Sequence, residues 1–278
     1  MKKLWLTVLI ASLVAVLAAC GGDKADDAKD KDDQDETKLV VGASPNPHEE
    51  LLEFVKPQLE EQGIDLEIET YTEFAMANKD LASGDLDANF YQHIQFFENQ
   101  KKEYGYDFAN AGEIHMEPIG IYSKRHKTLD DLPEGATILL SSSVSDHGRM
   151  LALLEEKGLI TLKDGVNKSE ATLEDIEDNP KNFEFDDSTS PEMLVQMYEN
   201  DEGDAVLINS NFALDHDINP REEAIALENE DSPYVNIVAV RTEDQDNKAV
   251  KALVEALRSD ETKEFMLEQW NGSVVPAK

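Results

Sequence analysis

The fold follows first from residues 38–47, which read Lys38-Leu-Val-Val-Gly-Ala-Ser-Pro-Asn-Pro47. The apolar run up to Gly42 predicts a buried strand, and the Ser-Pro-Asn-Pro segment predicts a turn and the start of a helix. The apolar residues that follow recur at helical spacing: Leu51, Leu52, Val55 and Leu59. A helix should therefore run from His48 to about Gln62. A strand, a turn and a helix in this order are typical of an α/β protein.

The same alternation continues along the chain in two sets of elements. In the first set, we predict a strand at 66–71, a helix at 75–82 and a strand at 84–91. In the second set and after it, the predicted strands are 136–140, 183–185, 204–208 and 234–240, and the predicted helices are 148–157, 191–198 and 249–270. Strands that alternate with helices predict parallel sheets covered on both faces.

Two apolar stretches, Ile119–Ser123 and Val235–Val240, lie between the two sets. We interpret them as the places where the chain crosses between two lobes. Lobe I is then residues 38–122 plus 237–278, and lobe II is residues 123–236. The body of about 240 residues exceeds the usual size of a single core, which agrees with two lobes. The predicted fold class is α/β, with two lobes, a hinge and a cleft between them.

The N-terminus has the pattern of a secretory signal. Two lysines precede the apolar stretch Leu4–Ala19. A span across a bilayer needs about 20 apolar residues, so this stretch is short for an anchor and suits a signal peptide. We therefore predict a signal peptide over residues 1–19.

Small residues stand directly before Cys20, the only cysteine of the sequence, as in bacterial lipoprotein signals. We predict that the signal is cleaved before Cys20 and that its thiol carries a lipid; the alternative is an incidental thiol. Residues 20–37 are polar and mostly charged, so they should form a disordered acidic tether. The predicted location is the extracytoplasmic face of the cell membrane, held there by the lipid. One cysteine also excludes an internal disulfide and a cysteine-cluster metal site.

The charge of the chain limits its partners. With 25 Lys+Arg against 60 Asp+Glu, the formal net charge is -35. Such a chain repels phosphates, so nucleic acid is not an expected partner. The acids indicate a solvated surface, with cation binding as the alternative. The sequence contains no G-x-S-x-G, no phosphate loop and no nucleophilic cysteine motif, so we predict no enzyme activity and no cofactor.

Four polar clusters come at the ends of predicted strands: residues 44–48, 90–93, 141–149 and 209–211. In open α/β sheets, ligands bind beyond the carboxyl ends of the strands. We therefore expect these clusters to meet in the cleft between the lobes.

Among the polar candidates, Arg149 follows a polar loop at a predicted helix start, and its guanidinium can hold a carboxylate bidentately. The alternative is a surface residue paired with a nearby acid. Asn209 and Asn211 offer donors and acceptors for an amino acid, or serve only as turn residues.

Phe74, Phe90, Tyr91 and His93 can line an apolar pocket or pack in the core. An aromatic pocket suits a thioether, since sulfur–aromatic contacts contribute about 0.3–1.5 kcal/mol. The histidines form no H-x-x-x-H pair, so a metal site is not predicted.

Several blocks of the body resemble the methionine-binding lipoproteins of the MetQ/NlpA family. They occur in this order: Val41-Gly-Ala-Ser-Pro-Asn-Pro-His48, Gly84-Asp-Leu-Asp-Ala-Asn-Phe-Tyr-Gln-His93, His115-Met-Glu-Pro-Ile-Gly-Ile-Tyr-Ser-Lys124, Leu207-Ile-Asn-Ser-Asn-Phe-Ala213, Asp231-Ser-Pro-Tyr-Val-Asn236 and Gly272-Ser-Val-Val-Pro-Ala277. The resemblance covers nearly the whole body, from Leu39 to Ala277.

The resemblance implies a two-lobed fold like that of periplasmic binding proteins (type II) and a substrate-binding protein of an ABC importer. It also implies delivery of L- or D-methionine to a membrane permease whose ATPase is a separate chain. By the same resemblance, Arg149 clamps the ligand carboxylate, and Asn211 and Asn236 hold its amino and carboxylate groups. Phe74, Tyr91 and His93 would enclose its side chain.

Two departures from the family pattern bear on the ligand. Residues 141–149 read Ser-Ser-Ser-Val-Ser-Asp-His-Gly-Arg, where the family usually has Pro-Asn-Asp-Pro-Ser-Asn before Gly-Arg, and Phe74 stands where a tyrosine is common. A lost hydroxyl can shift the selectivity of a buried site strongly. The alternatives are another amino acid or a methionine-containing dipeptide in the same fold, a metal-capturing surface lipoprotein, and a hydrolase without a recognisable nucleophile–base pair.

Overall fold

A computed structural model describes residues 37–229 and 232–278, apart from the side chain of Phe74. The strands within these residues are β1 Thr37–Ala43, β2 Ile64–Thr70, β3 Ala88–His93, β4 Phe108–Met116, β5 Gly120–Tyr122, β6 Thr137–Ser141, β7 Thr161–Leu162, β8 Ile176–Asp178, β9 Glu184–Thr189, β10 Ala205–Ile208, β11 Ala226–Leu227, β12 Val235–Arg241 and β13 Val275–Pro276. The helices are α1 Glu50–Glu60, α2 Phe74–Ser83, α3 Ile94–Tyr104, α4 Val144–Glu156, α5 Leu194–Glu199, α6 Ser210–Asp215, α7 Pro220–Glu223, α8 Lys248–Leu257 and α9 Asp260–Gln269. None of these helices is long and apolar enough to cross a membrane.

The first sheet has the strand order β13-β4-β12-β3-β1-β2. Strand β1 pairs in parallel with β2 and β3, as the opening stretch predicts. Helices α1 and α8 cover one face, because the apolar residues of α1 and the residues Val250 and Leu253 of α8 enter the same core as Val41. The apolar run at the start of the body therefore builds the centre of the first lobe.

The second sheet has the strand order β11-β5-β10-β6-β9. Strand β6 is parallel to β9 and β10, and its core is completed by Met150, Leu151 and Leu154 of α4. Strands β7 and β8 form a separate small pair. The predicted two-lobed α/β fold is confirmed, and both sheets belong to one compact unit.

Both main sheets are mixed, whereas the sequence pattern predicted parallel ones. Strand β12 runs antiparallel to β3 and β4, and β5 runs antiparallel to β10 and β11. The reason is the route of the chain. The first strand after each passage between the lobes, β5 in the second sheet and β12 in the first, runs against the direction of that sheet's strand–helix units.

The passages between the sheets lie beside the predicted boundaries. Strand β5 was predicted to end lobe I, but it pairs in the second sheet, and β12 begins at Val235 within the first sheet. The first crossing is therefore Glu117–Ile119, and the described residues of the second are 228–229 and 232–234. We propose these two crossings as the lobe boundaries.

Three helix predictions needed correction. Helix α4 begins at Val144 rather than Gly148, which places Arg149 in its second turn and not at free N–H groups of a helix start. The single helix predicted at 249–270 is two helices, because the side chain of Ser259 accepts a hydrogen bond from the Thr262 N–H and begins α9. No helix was predicted at α6, which contains Asn211. The predicted signal peptide, Cys20 and residues 21–36 of the predicted tether lie outside the described residues, whereas Thr37, the predicted end of the tether, begins β1.

Gly148 lets α4 lie directly against the turn at residues 168–170. A Cβ at Gly148 would lie 2.5 Å from the carbonyl oxygens of Lys168 and Ser169. Helix propensity alone predicts that Gly148→Ala stabilises the protein by about 1 kcal/mol. We expect the opposite sign, a loss of about 2 kcal/mol in the free energy of unfolding, because backbone must move to admit the methyl group. Urea unfolding of the two proteins measures it; a gain in stability would contradict this packing.

Candidate functional site

A cavity lies between the two lobes and is lined by residues of both. Its walls come from strand β3, the end of β10 and the start of β12, from helices α3, α4 and α6, and from Glu117 of the first crossing. The lining residues are Tyr91, Gln92, His93, Phe96, Glu117, Ser143, Asp146, Arg149, Asn209, Ser210, Asn211 and Asn236. The expectation that polar clusters at strand ends meet in one cleft is confirmed for three of the four clusters.

Five of the six ligand-binding residues suggested by the resemblance meet at this cavity and are buried: Tyr91, His93, Arg149, Asn211 and Asn236. Phe74 is the first residue of α2, and its side chain lies outside the described part of the structure. The remaining cluster, residues 44–48, does not line the cavity. Its His48 lies directly behind Asn236, with Nε2 of His48 3.3 Å from Oδ1 of Asn236.

Arg149 is held by protein groups on two of its three nitrogens. Its Nε donates to both carboxylate oxygens of Glu228, at 3.1 and 2.9 Å, and its Nη2 donates to Glu228 Oε2 and to the carbonyl oxygen of Glu117, each at 2.5 Å. Among the described residues, Nη1 has no hydrogen-bond partner. Burial works against the charge of Arg149, but Glu228 outweighs it and raises the pKa of the guanidinium. The Nη1 end is therefore a charged donor available to a ligand.

Glu117 provides an acceptor in the same cavity. His115 Nε2 lies 2.8 Å from its Oε1 and His48 Nε2 lies 3.4 Å from the same atom. The backbone N–H of Asn211, in the first turn of α6, also donates to this carboxylate. Burial raises the pKa of Glu117, although the neighbouring donors favour its ionised form. These donors define the position of the carboxylate inside the cleft.

His48, His115 and Glu117 also satisfy a simple distance test for a metal site, since their ligand atoms lie within 4.8 Å of one another. The proton positions argue for hydrogen bonding instead. Nδ1 of His115 is buried and has no partner among the described residues, so a proton there would be an unpaired donor; the proton belongs on Nε2, facing Glu117. Nδ1 of His48 lies 2.8 Å from Ser44 Oγ and can accept a hydrogen bond from this hydroxyl. The proton of His48 is then on Nε2, which faces Asn236 and Glu117.

Both histidines are neutral at pH 7. Burial lowers the pKa of His48 to about 4 and that of His115 to about 3. Two neutral N–H donors on one carboxylate stabilise its charge without neutralising it. The Glu117 side chain can therefore accept hydrogen bonds from an ammonium group. Glu117 also lies beside Arg149, because Nη2 of Arg149 donates to the backbone carbonyl oxygen of Glu117.

The opposite wall of the cavity joins the lobes through His93 and Asp146. Nδ1 of His93 accepts the N–H of Phe96 at the start of α3, so its proton is on Nε2, which lies 3.4 Å from Asp146 Oδ1 on α4. Burial disfavours the charged form of Asp146, but the His93 hydrogen bond and Arg149 outweigh it and lower the pKa of Asp146. The rings of Tyr91 and Phe96 meet edge to face beside this pair, with their centroids 6.2 Å apart.

Sequence reasoning missed Glu117, Asp146 and Glu228 as site residues. Glu117 and Glu228 occur in the two crossings, and the sequence alone does not distinguish them from the many other acidic residues nearby. One signal was present for Glu117: it lies between His115-Met116, the start of a block that resembles the family, and the apolar stretch Ile119–Ile121, where an acid is unusual.

Comparisons with known proteins agree with this geometry. The model of the NlpA lipoprotein family matches residues 39–278. The methionine-binding lipoprotein MetQ of Bacillus subtilis (strain 168) is 44% identical over 278 residues, which cover 99% of both chains.

Two solved structures are similar over the body. A nutrient binding protein from Burkholderia cenocepacia bound to methionine has a TM-score of 0.81 and 37% identity, covering 86% of this chain and 100% of that one. An ABC transporter periplasmic substrate-binding protein from Coxiella burnetii has the same TM-score and 32% identity, with the same coverage.

The histidine pKa values predict a loss of stability in acid. A neutral buried histidine stays unprotonated in the folded protein, while in the unfolded chain it takes up a proton below pH 6.5. The stability that His48 contributes is therefore present above pH 6.5 and is lost as the pH falls toward about 4. Between pH 7 and pH 5, we expect the free energy of unfolding to fall by about 2 kcal/mol more in the wild type than in His48→Gln.

Urea unfolding at the two pH values measures this difference, and His216→Gln, at an exposed histidine, is the matched control. Equal pH dependence in the wild type and His48→Gln would show that His48 is charged in the folded protein. A large stabilisation by one equivalent of zinc at pH 7 would instead assign the cluster to a metal.

Proposed function

The chain belongs to the NlpA lipoprotein family, and from this premise we propose that it is the substrate-binding lipoprotein of an ABC importer and that its ligand is methionine. The relative named methionine-binding lipoprotein MetQ and the similar structure bound to methionine support this ligand. The similar ABC transporter substrate-binding protein supports the transport role. The protein is then a receptor and not an enzyme, and its partner is a membrane permease with a separate ATPase.

One observation carries the ligand class: the same cavity is lined by Arg149, whose Nη1 has no partner among the described residues, and by Glu117. A zwitterionic α-amino acid needs a cationic donor for its carboxylate and an anionic acceptor for its ammonium. Arg149 supplies the first and Glu117 the second. The amides of Asn211 and Asn236, also in the cavity wall, offer donors and acceptors to both ends of this head group.

The other end of the cavity suits an apolar, flexible side chain. Tyr91, His93 and Phe96 contribute rings to the wall, and Phe74 joins them by family resemblance. A thioether fits an irregular aromatic pocket because it is polarizable and unbranched. Another amino acid or a methionine-containing dipeptide in the same site remains the alternative ligand. The hydrogen-bonding pattern of His48 and His115 argues against metal capture at this cleft.

Ligand release requires the lobes to separate, because residues from both lobes and Glu117 of the first crossing surround the cavity. Binding then stabilises the closed arrangement, and closure brings the two lobes' surfaces together for the permease. A lipid on Cys20 would keep the receptor near the permease on the extracytoplasmic face of the membrane. The acidic residues between Cys20 and Thr37 would serve as the tether.

Replacing Arg149 by lysine tests the carboxylate contact. Lysine keeps the positive charge but loses the planar fork, so it cannot bind Glu228 and the ligand together. We expect Arg149→Lys to weaken methionine binding by about 2 kcal/mol, measured by titration calorimetry. Arg125→Lys, at an exposed ion pair with Asp201, is the control and should leave binding unchanged. Tight binding of a different amino acid by the wild type, with no heat from methionine, would reject the ligand and retain the family.

Cys20→Ser tests the anchor. We expect the variant to lose lipid labelling and to leave the membrane fraction, because a serine hydroxyl does not replace the thiol as the lipid acceptor. Methionine affinity should be unchanged, since the binding site lies within residues 91–236. Lipid labelling and fractionation in a bacterial host measure the first effect and calorimetry the second. A variant that stays on the membrane with its lipid would contradict the assignment of Cys20.

A further inference from the structure

Arg149 is attached to the protein before any ligand arrives. A guanidinium has five N–H groups, and Glu228 and the Glu117 carbonyl engage those on Nε and Nη2. Only the two N–H groups on Nη1 remain. A ligand carboxylate therefore meets one nitrogen of a guanidinium whose plane is already fixed, and not a freely rotating side chain.

Glu228 is itself held on both carboxylate oxygens. Ser232 Oγ donates to its Oε1 at 2.6 Å, and the N–H of Ile119 donates to its Oε2 at 3.2 Å. The guanidinium carbon of Arg149 lies 4.8 Å from the ring centroid of Tyr234, so the aromatic face supports the same plane. Each of these contacts restricts how the guanidinium can turn.

These contacts connect three parts of the fold. Arg149 belongs to α4 of the second lobe, Glu117 and Ile119 to the first crossing, and Glu228 and Tyr234 to the second. The side chains of the pair are 3% and 9% exposed. A buried ion pair of this kind adds little net stability over an apolar pair, since desolvation offsets the attraction. Its geometry, by contrast, fixes a donor that faces the cavity.

We propose that Glu228 is a positioning residue for ligand binding: it fixes the guanidinium of Arg149 in the plane that presents Nη1 to the carboxylate of the bound amino acid. This inference rests on the proposed function. Without Glu228, the guanidinium is free to turn its Nε–Nη2 edge toward the ligand or toward solvent, and the ordering of that side chain is added to the cost of binding. Glu228 does not contact the ligand, because it does not line the cavity.

The test uses Glu228→Gln in the full chain, purified in detergent. Glutamine has the same shape but lacks the charge and the second acceptor oxygen. We expect the affinity for methionine to fall about tenfold or more. The affinity for methioninol, which has no carboxylate, should change less than twofold in the same variant. A purely structural role would weaken both ligands alike, and that outcome overturns the proposal.

Glu156→Gln is the matched control. Glu156 is an exposed acid of α4 near the outer face of the Arg149–Glu228 pair, and it pairs with Lys157 at 2.8 Å. The substitution makes the same change of charge without touching Arg149, so the affinity for both ligands should stay unchanged. An equal loss in Glu156→Gln would show a general effect of charge and would also overturn the proposal.

A second measurement does not depend on the ligand. In nitrogen-15 NMR spectra of the ligand-free protein, the Nε–H of Arg149 should exchange slowly with water, because Glu228 accepts it. Arg149→Lys assigns the signal by removing it. Glu228→Gln should make exchange at least about tenfold faster, and unchanged exchange overturns the positioning role. A wild type that shows this signal but binds no methionine would reject the proposed ligand alone, so the two failures are distinguishable.

Discussion

Charges buried between two lobes need partners from within the protein, and this requirement organises the cleft. Arg149 and Glu228 meet there with almost no exposure to solvent. An isolated charge in such a place costs several kcal/mol, so each member needs the other as well as further hydrogen bonds. Those bonds come from the first crossing, through the carbonyl of Glu117 and the N–H of Ile119, and from the second, through the hydroxyl of Ser232. The hinge segments therefore provide more than a connection: their backbone completes the binding site.

The same requirement explains the neutral histidines behind the site. Glu117 is buried, and its charge is useful to a ligand only if the protein does not cancel it. A lysine or arginine on this carboxylate would neutralise it, whereas neutral His48 and His115 donate N–H groups that favour its ionised form against the burial that raises its pKa. The cavity thus contains a cationic donor and an anionic acceptor side by side, which matches the dipole of a zwitterion. Shape and charge select the same class of ligand.

Sequence patterns predicted the parts of the fold that depend on local order. The strand at residues 38–43 and the helix after it are specified by their own apolar spacing, and the meeting of strand-end clusters follows from how α/β sheets are built. Arg149 was predicted from its chemistry, with its role taken from family resemblance. Glu228 was not predicted, because its partner Arg149 is 79 residues away and nothing local separates it from other acids. The strand directions at the crossings also depend on the route of the chain, which local spacing does not encode.

Arginine is scarce in this chain, and the arginines share one structural role. The chain has five arginines, and each donates to at least one backbone carbonyl far away in sequence: Arg125 to Asp201, Arg149 to Glu117, Arg221 to Gly272, Arg241 to Leu81 and Leu86, and Arg258 to Glu113. A planar fork with five donors can bind a carbonyl and a carboxylate at once, which a lysine cannot do with the same fixed geometry. In this acidic chain, all five arginines therefore join segments that are distant in sequence. Arg149 is the buried member of this set. Like the other arginines, it connects distant segments, here the two crossings. Its Nη1 remains available to a ligand, so the residue that connects the crossings can also contact the bound ligand.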